Sequence, residues 1–178
     1  MQRIYTKQST KDVNLYICII HPPKLTERQR KKTLYTPVYK RIGLSFDEYM
    51  DDDLIKPNER EFAERFTNLG FKIKWIKRNQ KRKSGIGYLP SNDFIWKDKE
   101  WECKEIFNQK YSSISKRLRI PILQGKKNFL ISMQKKRLSR KLTYQLAHFN
   151  IRKKVNLIER LIIFDKEGIK EIVLQKIK

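Results

Sequence analysis

The chain has 178 residues, 39% of them hydrophobic and 11% aromatic, enough apolar material for one domain with a sizeable core and too little length for two comfortable ones. That composition excludes wholesale disorder. Its 42 Lys and Arg against 19 Asp and Glu give a formal charge of +23, an excess that repels itself in the compact state and attracts polyanions, nucleic acid foremost through its phosphates.

Residues 1 to 56 read as an N-terminal extension with one strand, Leu15 to Ile20, a break at Pro22-Pro23 and a basic run from Arg28 to Lys32. The six apolar residues of that strand fall far short of the roughly 20 a membrane span needs and lack the flanks of a signal peptide. The basic residues are scattered over many elements rather than set along one amphipathic helix, so no membrane partner is expected. A helix begins at Pro57: Glu59, Glu61 and Glu64 crowd its first turns, Phe62, Phe66 and Leu69 share one face, and Gly70 closes it. Phe71 to Ile76 alternates as a strand, and Lys77 to Gly87 is a basic, glycine-containing loop.

Asp93 to Trp96 and Glu100 to Ile106 predict two strands joined by a tight turn at Lys97-Asp98-Lys99. Ser112 to Gln124 predicts a helix whose last turn is weakened by Pro121. Asn128 to Met133 predicts a buried strand, Leu138 to Ile151 a basic helix and Leu161 to Asp165 a strand. A turn at Glu167-Gly168 then leads into a final strand, Ile169 to Leu174. The order α-β-β-β-α-β-α-β-β from residue 57 to 178 describes a mixed α/β (α+β) domain, a central mixed sheet flanked by helices. Trp75, Trp96 and Trp101 alternate with charges on strands and are expected in its core. The two cysteines, Cys18 and Cys103, cannot make a disulfide framework, and with two histidines they make a poor zinc set, which favours a reduced compartment.

The acids are more informative in their placement than in their number. Thirteen of the 19 fall between Asp47 and Glu64 or between Asp93 and Glu105. A basic chain with its carboxylates gathered this way is arranged like a metal-dependent phosphodiesterase, although a passively basic protein with leftover acids has the same totals. Hydrolysing a phosphodiester calls for a divalent metal, Mg²⁺ or Mn²⁺, held by one or two carboxylates, and a cation for the developing charge. On a strand, Glu102 and Lys104 point to one side and Trp101 and Cys103 to the other. The main-chain carbonyl of Cys103 is a further candidate metal ligand, and the hairpin folds Asp93 back beside Glu102. Taken alone, the Glu-x-Lys triplet also fits an ordinary exposed ion pair. Phosphate contacts are expected from Lys77, Arg78, Lys81, Arg82 and Lys83 in the loop, from Lys116, and from Lys135, Lys136, Arg137 and Arg140, basic residues without acids close by in the sequence.

Asn92-Asp93, the hairpin and Trp101-Glu102-Cys103-Lys104 resemble the signature of PD-(D/E)xK nucleases, with Asn92 where that family usually has proline. Asn58-Glu59-Arg60-Glu61-Phe62-Ala63, followed by Leu69-Gly70-Phe71 and Ile73, is similar to the helix and first strand of the C-terminal tRNase domain of contact-dependent growth-inhibition (CdiA-type) toxins. The resemblance covers roughly residues 55 to 175. It implies a restriction-endonuclease-like core and an active site of Glu59, Asp93, Glu102, Lys104 and Gln124. Glu59 matches a glutamate four residues before an alanine, and Gln124 a glutamine on the helix after the signature strand. Glu61 and Glu64 stay open as alternatives to Glu59. The resemblance further implies tRNA or another RNA as substrate, a bacterial source, delivery into a target cell with action in its cytoplasm, and an acidic immunity protein as partner. A DNA endonuclease of the same superfamily and a non-catalytic nucleic-acid-binding protein are the competing readings.

Overall fold

In the computed structural model, which describes residues 16–77, 91–133, 136–153 and 157–175, fourteen elements follow one another. They run β1 (Ile17–Ile20), α1 (Glu27–Tyr35), α2 (Val38–Arg41), α3 (Phe46–Met50), α4 (Pro57–Asn68), β2 (Lys74–Trp75), β3 (Phe94–Trp96), β4 (Lys99–Glu105), α5 (Tyr111–Leu123), β5 (Asn128–Ser132), α6 (Arg140–Ala147), α7 (Phe149–Lys153), β6 (Arg160–Asp165) and β7 (Gly168–Ile172). The strands form one sheet in the order β1-β7-β6-β5-β4-β3-β2. β4, β5 and β6 are parallel neighbours, and the remaining pairs are antiparallel. This is the mixed sheet flanked by helices that the order of elements predicts.

Period-two alternation divides the core between the two faces. Trp101 and Cys103 of β4, Leu130 of β5, and Ile162 and Phe164 of β6 pack with Phe62, Ala63 and Phe66 of α4. Phe129 and Ile131 of β5 and Leu161 and Ile163 of β6 point the other way, onto Ile114 and Leu118 of α5 and Leu142 and Leu146 of α6. Helices therefore cover both faces, as parallel strands require. Trp75, Trp96 and Trp101 are all buried. No helix among the described residues is long and apolar enough to cross a membrane.

Residues 16–56 are part of this body. β1 pairs with β7 at the sheet edge, and Ile42, Leu44 and Ile55 lie in the same cluster as α4. Gly70 holds the junction after α4 with φ +88, and a Cβ there would come within 2.7 Å of Leu25. Two expected elements are shorter than the sequence suggests. Phe71, Ile73 and Trp75 alternate inward, but only Lys74 and Trp75 are paired with β3, and the Trp75 N–H donates to the Ile42 carbonyl at 3.0 Å. The helix expected over Leu138 to Ile151 is two, broken at His148 (φ −94, ψ 16). There the Nδ1 of His148 lies 2.8 Å from the Tyr144 carbonyl. Beyond the break, the buried Asn150 side chain bonds the Ile158 main chain at 2.8 and 3.1 Å, which fixes the new direction.

The hairpin between β3 and β4 turns through Lys97 and Asp98, with φ of 50° and 57°. A two-residue loop with both centres left-handed matches the twist of the strands, and asparagine and glycine occupy it most readily. We expect Lys97→Asn with Asp98→Gly to raise unfolding stability by about 1 kcal/mol, measured by urea denaturation. A loss of stability would show that the turn has another geometry.

Candidate functional site

The register of β3 and β4 places the first pair of carboxylates. Phe94 is opposite Trp101, and just before this last paired position the Asp93 N–H donates to the Trp101 carbonyl at 2.9 Å, which leaves the Asp93 carboxylate close to that of Glu102. Both are 4% exposed. The Asp93 main chain is also held from β2, by the Ile76 N–H at 2.9 Å. Its Oδ2 accepts the Cys103 N–H at 2.6 Å. A residue's N–H and C=O share one edge of a strand, so the Cys103 carbonyl projects past the end of β3, to the side of the Asp93 carboxylate. Asn92, where the resembling family has proline, bonds Glu100 through its side-chain amide at 2.7 Å.

Glu102 and Lys104 lie on the sheet face covered by α5, opposite to Trp101 and Cys103. Glu102 accepts Lys104 Nζ on Oε1 and Lys126 Nζ on Oε2. Lys126 also donates to the Ser91 carbonyl, so one ammonium ties the strand entering Asp93 to the carboxylate across from it. Lys126 belongs to no motif of the sequence. The one local signal for it is Gly125, a helix stop that places the next residue back toward the sheet.

Glu59 is half-buried, whereas Glu61 and Glu64 on the same helix are exposed. Its Oε2 accepts the Lys56 N–H at 2.9 Å, closing the N-terminus of α4, and its charge reaches Asp93 and Cys103. Of the three acids at the start of α4, Glu59 is thus the one that faces the site, and it caps the helix as well. Gln124 is the C-terminal cap of α5. It is exposed, and it lines a cleft of about 670 Å³ together with Glu102, Lys104, Lys116 and Arg117.

Basic residues outside the cleft are dispersed. Lys136 donates to the Phe107 carbonyl beyond the end of β4, and Arg140 is exposed at the start of α6. Lys77 pairs with Glu48 at 2.8 Å and Arg137 with Glu167 at 2.8 Å, so these two have acids close by in space although not in sequence. Arg78, Lys81, Arg82, Lys83 and Lys135 lie outside the described residues.

The electrostatics follow from burial and like charge. The Asp93 carboxyl is pushed up from 3.8 to about 7, first by burial and then by Glu102 and Glu59, against the pull of Lys104 and the Cys103 N–H. Burial also raises the Cys103 thiol, with Asp93 and Glu59 adding to it. For Lys104 burial acts to lower the pKa, but Glu102, Asp93 and the hydrogen bond to Glu102 outweigh it and raise it, so it stays an ammonium. Among the described residues no three His, Cys, Asp or Glu side chains gather into a metal cage. The hard oxygens of Asp93, Glu102 and the Cys103 carbonyl nonetheless suit a cation such as Mg²⁺, which uses one or two carboxylates and completes its shell with water and phosphate. Comparison with known proteins finds no matching family model, no matching curated protein and no matching solved structure.

An acid whose pKa rises on folding stabilises the fold fully below its unfolded value, and that contribution is lost as pH climbs through the folded value. For Asp93 the window runs from 3.8 to about 7. Asp93→Asn keeps an acceptor for the Cys103 N–H and removes the charge. In chelator the variant is expected to melt above the wild type at pH 8, with the gap closing as pH falls toward about 5. A gap that stays constant with pH in thermal melts would mean that Asp93 ionises normally.

Proposed function

We propose that this protein is a metal-dependent nuclease that hydrolyses phosphodiester bonds, acting on RNA, with tRNA as the first candidate. The observation that carries the reading is the closeness of two buried carboxylates, Asp93 and Glu102, on one hairpin, with Glu102 and Lys104 lining a cleft together with Lys116, Arg117 and Gln124. A carboxylate pair buried at such cost has a use where positive charge arrives. The formal charge of +23 suits a polyanionic substrate.

Asp93, Glu102 and the Cys103 carbonyl would hold Mg²⁺ or Mn²⁺, with Glu59 adding negative charge from α4. Such an ion polarises a phosphoryl oxygen and lowers the pKa of its bound water. Lys104, fixed against Glu102, supplies a cation for charge that develops on the phosphate and a donor to orient a water molecule. Lys116 and Arg117 on the wall of the cleft are placed to bind flanking phosphates, and Gln124 offers an amide to the same space.

The preference for tRNA, a toxin role in a bacterial target cell and an acidic immunity partner rest on the sequence resemblance to CdiA-type toxin domains. The large positive charge adds support for an acidic partner. The layered helices about a mixed sheet are compatible with the restriction-endonuclease-like core of that superfamily.

Purified protein incubated with total tRNA and with duplex DNA tests the proposal. Cleavage of tRNA in Mg²⁺ or Mn²⁺, abolished by chelator, is expected. Glu102→Gln and Lys104→Ala should each lower the rate by about 100-fold or more while retaining native circular dichroism. Wild-type rates in both variants would refute the site. Cleavage confined to duplex DNA would make the protein a DNA endonuclease. Tight, salt-sensitive binding without product in either metal would leave a passive nucleic-acid binder.

A further inference from the structure

Lys126 is nine-tenths buried, its side chain 9% exposed, and an ammonium so placed is costly unless paired. The fold aims it with care. Gly125 adopts φ +80. The Gly125 N–H bonds the Ile122 carbonyl at 3.0 Å, and the Lys126 N–H bonds the Pro121 carbonyl at 3.1 Å. This double closure of a helix end is typically built around a left-handed glycine. The C-terminus of α5, with its partial negative charge, therefore delivers Lys126 to Glu102 Oε2 and the Ser91 carbonyl. Lys104 takes the other carboxylate oxygen. Both oxygens of Glu102 are thus satisfied by cations of the chain itself, and the formal charges of Lys104 and Lys126 cancel two of the three carried by Glu59, Asp93 and Glu102.

We propose that Lys126 is an internal counter-ion, which occupies Glu102 in the metal-free protein and moves onto the phosphate of a bound nucleic acid when Glu102 takes a divalent cation. The inference rests on the metal-dependent reading above. An ammonium and a divalent cation compete for the same carboxylate oxygen, so the Lys126–Glu102 bond weakens cation affinity as long as nothing else accepts the ammonium. A lysine stem has four flexible carbons, and the cleft beside Glu102 is where Lys104, Lys116 and Arg117 meet open space. A phosphate lying there offers the displaced ammonium a new partner. Cation and nucleic acid then favour each other's binding. A purely structural Lys126, strapping Ser91 to β4, would have the opposite signature, because its removal would disorder the carboxylates and weaken cation binding.

Mn²⁺ titration followed by electron paramagnetic resonance, without nucleic acid, separates the two. Lys126→Gln can still donate to the Ser91 carbonyl but carries no charge. It is expected to bind Mn²⁺ about 10-fold more tightly than the wild type, whereas Lys126→Arg binds as weakly as the wild type. A second measurement reads the far end of the movement. In chelator, Lys126→Gln and wild type should bind tRNA alike. In Ca²⁺, the variant should bind about 5-fold more weakly, with a salt slope lower by about 1. Unchanged or weaker Mn²⁺ binding by Lys126→Gln with a native melting curve would overturn the proposal. So would tighter binding by Lys126→Arg, or an equal loss of tRNA affinity in chelator and in Ca²⁺. Equal Mn²⁺ affinity in all three proteins would sink the counter-ion alone, whereas no Mn²⁺ binding by any of them would sink the metal-dependent reading with it.

Discussion

The pairing register of β3 with β4 is the constraint on which the rest depends. A strand carries its side chains alternately to opposite faces, so a slip of one residue would exchange them all. Trp101 and Cys103 would then face α5, and Glu102 and Lys104 would enter the aromatic cluster against α4, where unpaired charge is costly. Several contacts oppose the slip. The two-residue turn sets the register locally. The Trp101 indole N–H donates to the Trp96 carbonyl at 2.9 Å, the two indoles lie 5.5 Å apart, and the Arg160 guanidinium sits 5.3 Å from the Trp101 ring. Phe94 stacks on Trp75 with centroids 5.9 Å apart. Large rings on one face thus fix the positions of small charged groups on the other.

The charges of the Asp93–Glu102 group remain inside because each is met. Glu102 has two ammonium partners, and Asp93 has the Cys103 N–H with a carboxyl that keeps its proton to about pH 7. The same logic recurs away from the cleft. The buried Lys170 bonds Asp165 at 2.6 Å and Glu167 at 2.7 Å, and Asp165 also accepts the Leu138 N–H at 2.8 Å. The two buried clusters differ in surroundings. The Asp165 group sits at the turn between β6 and β7 and ties down the start of α6, which is a structural task. Glu102 of the Asp93–Glu102 group lines a cleft, and the charges of Glu102 and, from α4, of Glu59 both reach Asp93. Like charges converge there although the chain has cations in excess, and that surplus of local repulsion separates a candidate site from a structural ion pair.

Much of this was legible from residue order. The alternation of β4, the helical spacing of Phe62 and Phe66, the apolar runs of β5 and β6 and the turn after Trp96 are local patterns, and local patterns report directly on which face is buried. Alternation along β4 puts Glu102 and Lys104 on one face, and the hairpin brings Asp93 within reach of both charges. Where length had to be judged, the sequence ran out. β2 pairs with β3 over two residues only, with the Trp75 N–H on the Ile42 carbonyl, and the basic helix after Leu138 breaks where Asn150 finds the main chain of Ile158. Neither partner lies within the element whose length it sets.

The sequence by itself therefore determined the layers, the hairpin and the shared face of Glu102 and Lys104, because each depends on side chains within a few positions of one another. Tertiary structure alone half-buried Glu59 while leaving Glu61 and Glu64 exposed, joined β1 to the sheet edge beside β7, gave Lys77 and Arg137 their acidic neighbours and brought Lys126 onto Glu102. Those choices turn on distances between segments far apart in the chain. Coulomb forces and burial act through space, and no period in the sequence encodes them.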